Sequence, residues 1–170
     1  MLSNKLTVLV ITYNHVKYIK RCLDSILSQK TKFEFNIYIL DDCSTDGSSD
    51  IVKEYVKKYP NKIIPFIRSH NLGLVENIYQ GIKTVKTEYY ATVESDDYWC
   101  DNDKLQQQID MLEKHPDCSF CGHDTSYKDY STGKTFNMFS KNSYNVREKY
   151  KFPNHFDSRE FVKVHPSSRV

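Results

Sequence analysis

Leu6-Thr7-Val8-Leu9-Val10-Ile11-Thr12 is a short, nearly continuous apolar run, and the hydrophobic period changes soon after it ends. Such a run reads as a strand buried on both faces, the habit of an interior strand in a parallel sheet. From Val16 the spacing is helical: Val16, Ile19, Leu23, Ile26 and Leu27 share one face, with Lys17, Lys20, Arg21 and Asp24 elsewhere. The chain then repeats this strand–helix unit. Phe35 to Leu40 is a second strand, and Ile51, Val52, Tyr55, Val56 and Tyr59 form the next helical stripe, with Asp46 or Ser48 as its N-cap. Pro60-Asn61 breaks that helix, and Ile63 to Ile67 is a third strand. Leu74, Val75, Ile78, Tyr79 and Ile82 make a third helix. An apolar run through Tyr89, Tyr90, Ala91 and Val93 is the fourth strand, reaching Asp96, and a fourth helix runs from Lys104 and stops before His115-Pro116.

Alternation of this kind implies an α/β fold, a mostly parallel sheet with helices on both faces. Right-handed crossovers place every turn that follows a strand along one edge. The Thr12-Tyr13-Asn14 turn, the Asp41-Asp42 turn, the loop from Arg68 to Gly73 and the Asp96-Asp97 turn are thus expected to share one crevice, where ligands of open α/β sheets bind. Beyond residue 117 the pattern changes. Cys118 to Cys121 reads as a short strand, and Tyr127 to Phe136, with Ser131-Thr132-Gly133 at its centre, as a hairpin. Residues 137–156 are polar, aromatic and poorly periodic, and Asp157-Ser158-Arg159-Glu160 has the pattern of a capping box opening a short helix.

With 170 residues the chain reads as a single domain. Its 24 basic against 22 acidic residues leave +2, too little to recruit nucleic acid by charge. Mean hydropathy is −0.64, and no apolar stretch approaches the length of a membrane span. The first residues enter a strand with no signal-peptide architecture, and five scattered cysteines read as reduced thiols, so the expectation is a cytoplasmic protein. Cys118-x-x-Cys121 with His123 nearby lacks the second ligand pair that structural zinc requires.

Two acidic turns carry the chemistry. Asp41-Asp42-Cys43-Ser44-Thr45-Asp46-Gly47 ends the second strand, and Glu94-Ser95-Asp96-Asp97-Tyr98-Trp99 ends the fourth. Adjacent carboxylates at a sheet edge hold oxygen ligands where a hard divalent cation and a phosphate can meet. Taken singly, Asp96-Asp97 reads equally as a solvated capping pair and Asp41-Asp42 as an Asx turn opening a helix. Asn71-Leu72-Gly73 reads as a turn that needs a positive φ at its glycine.

In their order, V-L-V-I-T-Y-N (8–14), L-D-S-I-L-S-Q (23–29), I-L-D-D-C-S-T-D-G-S (39–48), N-L-G (71–73) and E-S-D-D-Y-W (94–99) resemble family 2 inverting glycosyltransferases of the GT-A fold. The likeness covers residues 5–120. It implies a Rossmann-like GT-A sheet whose first part binds a nucleotide-sugar donor, usually a UDP-sugar, while residues 121–170 begin the acceptor side. By the same resemblance Thr12, Tyr13 and Asn14 belong to the donor site, with Thr12 and Tyr13 lining the base pocket. Asp42 accepts a hydrogen bond from the base, which favours uracil, while Asp41 supports the turn. Asp96 lies near the ribose or the metal, and Asp97 coordinates Mn²⁺ or Mg²⁺ bridging the diphosphate. Tyr13 stands either as a base-stacking residue or as the start of a helix, and Trp99 either as core or as a platform near the acceptor sugar. The implied partners are the donor and a glycan or lipid-linked acceptor, and the setting is surface polysaccharide or glycolipid synthesis at the inner face of the membrane, with peripheral association of the full-length protein.

Two features depart from the family pattern. An arginine expected in the helix after the Asn-x-Gly turn is replaced by Val75-Glu76-Asn77, and Arg68 is the substitute. Inverting transfer also needs a general base. Asp157 and Glu160 are the late carboxylates and sit in no such motif, so the base is expected beyond Val170; His165 reads as a loop residue. Two rival readings follow: a donor-binding module inactive in this form, and a nucleotidyltransferase. The latter wants a glycine-rich loop after the first strand, where Thr12-Tyr13-Asn14-His15 has no glycine.

Overall fold

The structure is a computed structural model that describes residues 4–123, 125–128, 133 and 135–137. Its elements in chain order are β1 (Asn4–Thr12), α1 (Ile19–Leu27), β2 (Glu34–Asp41), α2 (Ser48–Lys58), β3 (Ile63–Ile67), α3 (Leu74–Thr84), β4 (Tyr89–Glu94), α4 (Lys104–Lys114), β5 (Ser126–Lys128) and β6 (Thr135–Asn137). The first four strands form one sheet in the order β3-β2-β1-β4, and every pairing is parallel. This is the α/β architecture that the alternating periods imply, and it is GT-A-like, as the motif resemblance implies. β1 pairs on both sides and is buried from Leu6 to Thr12, so its apolar run needs no polar alternation. β3 is an edge strand, which is where Pro65, with no N–H to give a ladder, is tolerated.

Side chains alternate across the sheet. Leu9, Ile11 and Leu40 pack with Ile78, Ile82 and Val85 on the face that α3 covers. The chain steps from β1 to β2 to β3 in one direction and returns across them to β4, so right-handed crossovers put α1 and α2 on the opposite face. Val8, Val10, Ile37 and Ile39 alternate onto that face, and they and Ile19, Leu23, Ile26 and Val52 of the two helices are all fully buried. Each such side chain contributes roughly 2 kcal/mol of burial.

Four details differ from the sequence expectations. α1 opens at Ile19 rather than Val16, because the Val16 N–H donates to Asp46 Oδ2 at 2.9 Å and residues 15–18 are drawn into a turn. The N-cap of α2 is Gly47, at φ +102°, rather than Asp46 or Ser48. Asp46 works from one residue further out, its Oδ1 accepting the Ser48 N–H at 2.9 Å and hydroxyl at 2.6 Å. α3 turns Asn77 and Gly81 inward and leaves Leu74, Val75 and Tyr79 about half exposed or more, since Gly81 packs directly on Leu40. Cys118 to Cys121 is not a strand; the Cys118 N–H returns to His115 O at 2.9 Å in a turn after α4.

Contacts divide the chain into two compact units, 1–106 and 107–170. In the second, β5 and β6 pair antiparallel with Tyr127 opposite Phe136, as the hairpin pattern expects. The capping-box segment at Asp157 and His165 lie outside the described residues. All five cysteines are free, and among the described residues no helix is long and apolar enough to cross a membrane.

Candidate functional site

The strand order reverses at β1, and loops that leave neighbouring strand ends at such a point diverge. There the first unit holds a crevice of about 330 Å³. Thr12, Tyr13 and His15 line it from the end of β1, Asp42 from the end of β2, Glu94 from β4, Asn71 and Gly73 from the segment joining β3 to α3, and Leu74 and Asn77 from α3 itself.

Two turns interlock to build its floor. The Asp42 N–H donates to Thr12 O at 3.0 Å, the Asn14 N–H to Ser44 Oγ at 3.0 Å, and the Thr45 N–H to Asn14 Oδ1 at 2.9 Å. Asn14 and Cys43 both hold positive φ, at 56° and 66°, a conformation that surroundings must enforce on residues other than glycine. Asn14 thus ties the two turns together and does not itself line the crevice. Tyr13 is not helical, because α1 starts later; its ring is 46% exposed on the crevice wall.

The adjacent aspartates divide their work. Asp41 is fully buried, its Oδ1 accepting the Ser44 N–H at 3.0 Å and its Oδ2 the Ser49 hydroxyl, so this carboxylate is occupied by its own turn. Asp42 accepts the Leu72 N–H at 2.7 Å and the Gly73 N–H at 2.9 Å, one on each oxygen. Each of those oxygens retains a second lone pair. Gly73 can serve here because its φ of +81° and ψ of 156° lie in a region essentially reserved for glycine, as the Asn-x-Gly reading requires.

Arg68 lies behind the crevice, not in its lining. Its Nε donates to Asn77 Oδ1 at 3.0 Å, and Asn77 Nδ2 donates in turn to Leu40 O at 3.0 Å. Two polar atoms here are buried with no hydrogen-bond partner among the described residues: Arg68 Nη2 and the hydroxyl of Thr12. Buried polar groups are rarely left so, and each asks for an explanation.

At the end of β4 the Ser95 N–H donates to Ile11 O at 2.8 Å and the Asp97 N–H to Glu94 O at 3.0 Å. Asp96 and Asp97 are exposed while Ser95 is fully buried, its hydroxyl 2.8 Å from His15 Nδ1. Asp96 Oδ1 is 3.8 Å from that nitrogen. Beneath them lies Cys22, whose thiol is pushed up to about 12 by burial first and then by the Asp97 and Asp96 charges. Trp99 is buried rather than offered as a platform, its N–H donating to Ser25 Oγ at 3.0 Å.

Sequence reasoning passed over three residues. His15 follows the Thr-Tyr-Asn turn, where the sequence offers only the absence of a glycine as a signal. Ser25 and Gln29 belong to the L-D-S-I-L-S-Q motif; the polar residues in an otherwise helical stripe were the available signal. Gln29 is 8% exposed and donates to Asp101 O at 2.6 Å while accepting the Leu105 N–H at 3.0 Å.

The sequence model for glycosyl transferase family 2 matches residues 7–164. The chain belongs to that family. It is 36% identical over 118 residues to an uncharacterised protein of Mycobacterium tuberculosis, an alignment covering 69% of this chain and 34% of that protein. With EpsH of Bacillus subtilis, which carries a glycosyltransferase name, it shares 32% over 143 residues, 84% of this chain and 40% of EpsH. Among solved structures, S. aureus TarS (1–349) in complex with UDP is 32% identical with a TM-score of 0.57, covering 66% of this chain and 33% of TarS. The chain thus spans about a third of the length of the relatives it matches first.

For a family 2 chain the donor set can be weighed against a divalent ion. No group of three or more His, Cys, Asp or Glu among the described residues is placed to hold one. Asp96 and Asp97 offer hard carboxylate oxygens in one turn. Mg²⁺ typically takes one or two carboxylates and completes its shell with substrate phosphates and water. The residues present fit an ion that arrives with a diphosphate and do not fit a cage made of protein alone.

Proposed function

We propose that this chain carries the donor-binding part of a glycosyltransferase that moves a sugar from a UDP-sugar to an acceptor hydroxyl with inversion. The setting is synthesis of a surface polysaccharide or glycolipid at the inner face of the membrane, on a glycan or lipid-linked acceptor. The observation that carries this reading is the crevice where the ends of β1 and β2 meet, lined by Thr12, Tyr13 and Asp42, with each Asp42 oxygen keeping a second lone pair. The UDP bound by TarS supports that nucleotide as the ligand.

In this reading Tyr13 lays its half-exposed ring on the base, and Thr12 closes the pocket below it. The spare lone pairs of Asp42 accept the ring N–H of uracil, a bond that the corresponding cytosine nitrogen, lacking hydrogen, cannot give. Asn14 keeps the floor in register, and Arg68 holds Asn77 against the crevice while adding positive charge near the diphosphate. Asp96 and Asp97 would hold Mn²⁺ or Mg²⁺, which when bound stabilises the negative charge that develops on the departing UDP.

Calorimetric titration of UDP against the chain, with Mn²⁺ and with EDTA, tests this on wild type and Asp97→Ala. Binding that needs the metal and weakens sharply in the variant is expected. A folded wild-type chain that binds no UDP in either condition would overturn the reading.

A further inference from the structure

We propose that His15 is the positioning residue of the Asp96 carboxylate, holding the end of β4 through Ser95 in the orientation that meets the donor. This rests on the donor-site reading above. His15 is fixed before its ring is considered: its N–H donates to Ser48 Oγ at 2.9 Å, and its carbonyl accepts the Tyr18 N–H at 2.9 Å and the Ile19 N–H at 3.0 Å. The ring stands edge-on to Tyr18, with centroids 6.5 Å apart. On the far side, Ser95 is pinned to β1 by its N–H and is fully buried, so its hydroxyl must find a partner within the protein. His15 Nδ1 is that partner at 2.8 Å, and Asp96 is the next residue along the chain.

The contacts run without a break from Asp46 through Ser48, His15 and Ser95 to Asp96. They join the acidic turn after β2 to the acidic turn after β4. A nucleotide whose base sits by Asp42 and whose ribose or diphosphate sits by Asp96 touches both ends of this series. Its span depends on the distance between those ends, and His15 is the residue that sets it. Groups that orient a ligating carboxylate from behind typically change metal affinity about 10- to 100-fold when removed.

Three substitutions separate this role from others. Asparagine keeps a hydrogen-bonding atom near the place of Nδ1, glutamine near that of Nε2, and alanine neither. The readouts are UDP affinity in EDTA and Mn²⁺ capture by the protein–UDP complex, followed by the loss of the free Mn²⁺ spin-resonance signal. Expected are about tenfold weaker Mn²⁺ capture in His15→Ala and His15→Gln, near wild-type capture in His15→Asn, and a smaller loss of UDP affinity in EDTA than of Mn²⁺ capture. Rescue by glutamine and not by asparagine would overturn the proposal, because the other ring nitrogen would then be touching the ligand. Equal losses with and without metal, tracking a lower melting temperature, would reduce His15 to a structural part and overturn it too. Wild-type behaviour in all three variants overturns this inference alone, whereas a wild-type chain that binds no UDP overturns the donor-site reading and this inference with it.

Discussion

The Thr12 side chain is wholly buried, yet its hydroxyl meets no partner among the described residues. An unsatisfied buried polar group costs about 1–3 kcal/mol in the free protein. Thr12→Val keeps the shape and removes the hydroxyl, so the denaturation midpoint of the free chain is expected to rise by the equivalent of about 1 kcal/mol. UDP affinity, read by calorimetry, is expected to stay near wild type in the same variant, because the buried hydroxyl is out of reach of a ligand in the crevice. A fall in affinity would mean that the crevice opens to Thr12 when the nucleotide binds. Asp46 gives the opposite case, a side chain satisfied entirely within the fold. Burial works against its charge, but hydrogen bonds from the Ser48 side chain and from the amides of Val16 and Ser48 outweigh it and hold its carboxyl below the ordinary 3.8. A folded-state value depressed in this way stabilises the protein above the unfolded value, and that stabilisation is lost as pH falls through the folded one. Asp46→Asn should therefore be less stable than wild type at neutral pH, with the gap closing below about pH 4 in a series of urea melts.

At the scale of elements, α3 is the informative helix. A Cβ added at Gly81 would fall 2.3 Å from Leu40 Cδ1, and Leu40 is fully buried between Leu9, Ile11 and the helix. Overpacking of this kind costs about 1–3 kcal/mol, against about 1 kcal/mol recovered in helix propensity. Gly81→Ala is expected to lower the urea midpoint by the equivalent of about 1 kcal/mol with the slope unchanged. The same contact explains why the facing of α3 was only partly legible in the sequence. Of its apolar stripe, Ile78 and Ile82 pack on the sheet as the period expects, but Leu74, Val75 and Tyr79 stay largely exposed, and the fully buried positions are Asn77 and Gly81, which carry no hydrophobic signal. β1 was legible for the converse reason, since an interior parallel strand is apolar on both faces and cannot be mistaken for an alternating one. The start of α1 was misplaced because the bond that prevents Val16 from entering the helix comes from Asp46, thirty residues away, and no local pattern encodes it.

For the molecule as a whole, the topology brought the turns after β1, β2 and β3 to one crevice, as an all-parallel sheet with right-handed crossovers must. The turn after β4 enters through Glu94, with Asp96 held behind it on His15, a detail that depends on side-chain bonds between residues eighty apart. What keeps that last turn in place was equally hidden. The segment from Trp99 to Gln106 is fastened to α1 and the loop after it: Trp99 N–H to Ser25, Gln29 to both Asp101 and Leu105, and the Lys30 N–H to Asn102 O at 2.7 Å. Gln29 is the central fastening, because its one amide meets a carbonyl at one end of the segment and an N–H at the other. Gln29→Ala leaves the buried Leu105 N–H unpaired and is expected to cost about 2 kcal/mol. If the loss is confined to this fastening, local opening should carry it, and amide hydrogen exchange should quicken across residues 99–106 while β1 and β2 keep their protection. Exchange that quickens equally in the strands would mean that Gln29 supports the core at large, and that the acidic turn after β4 is held by β1 and His15 without help from α1.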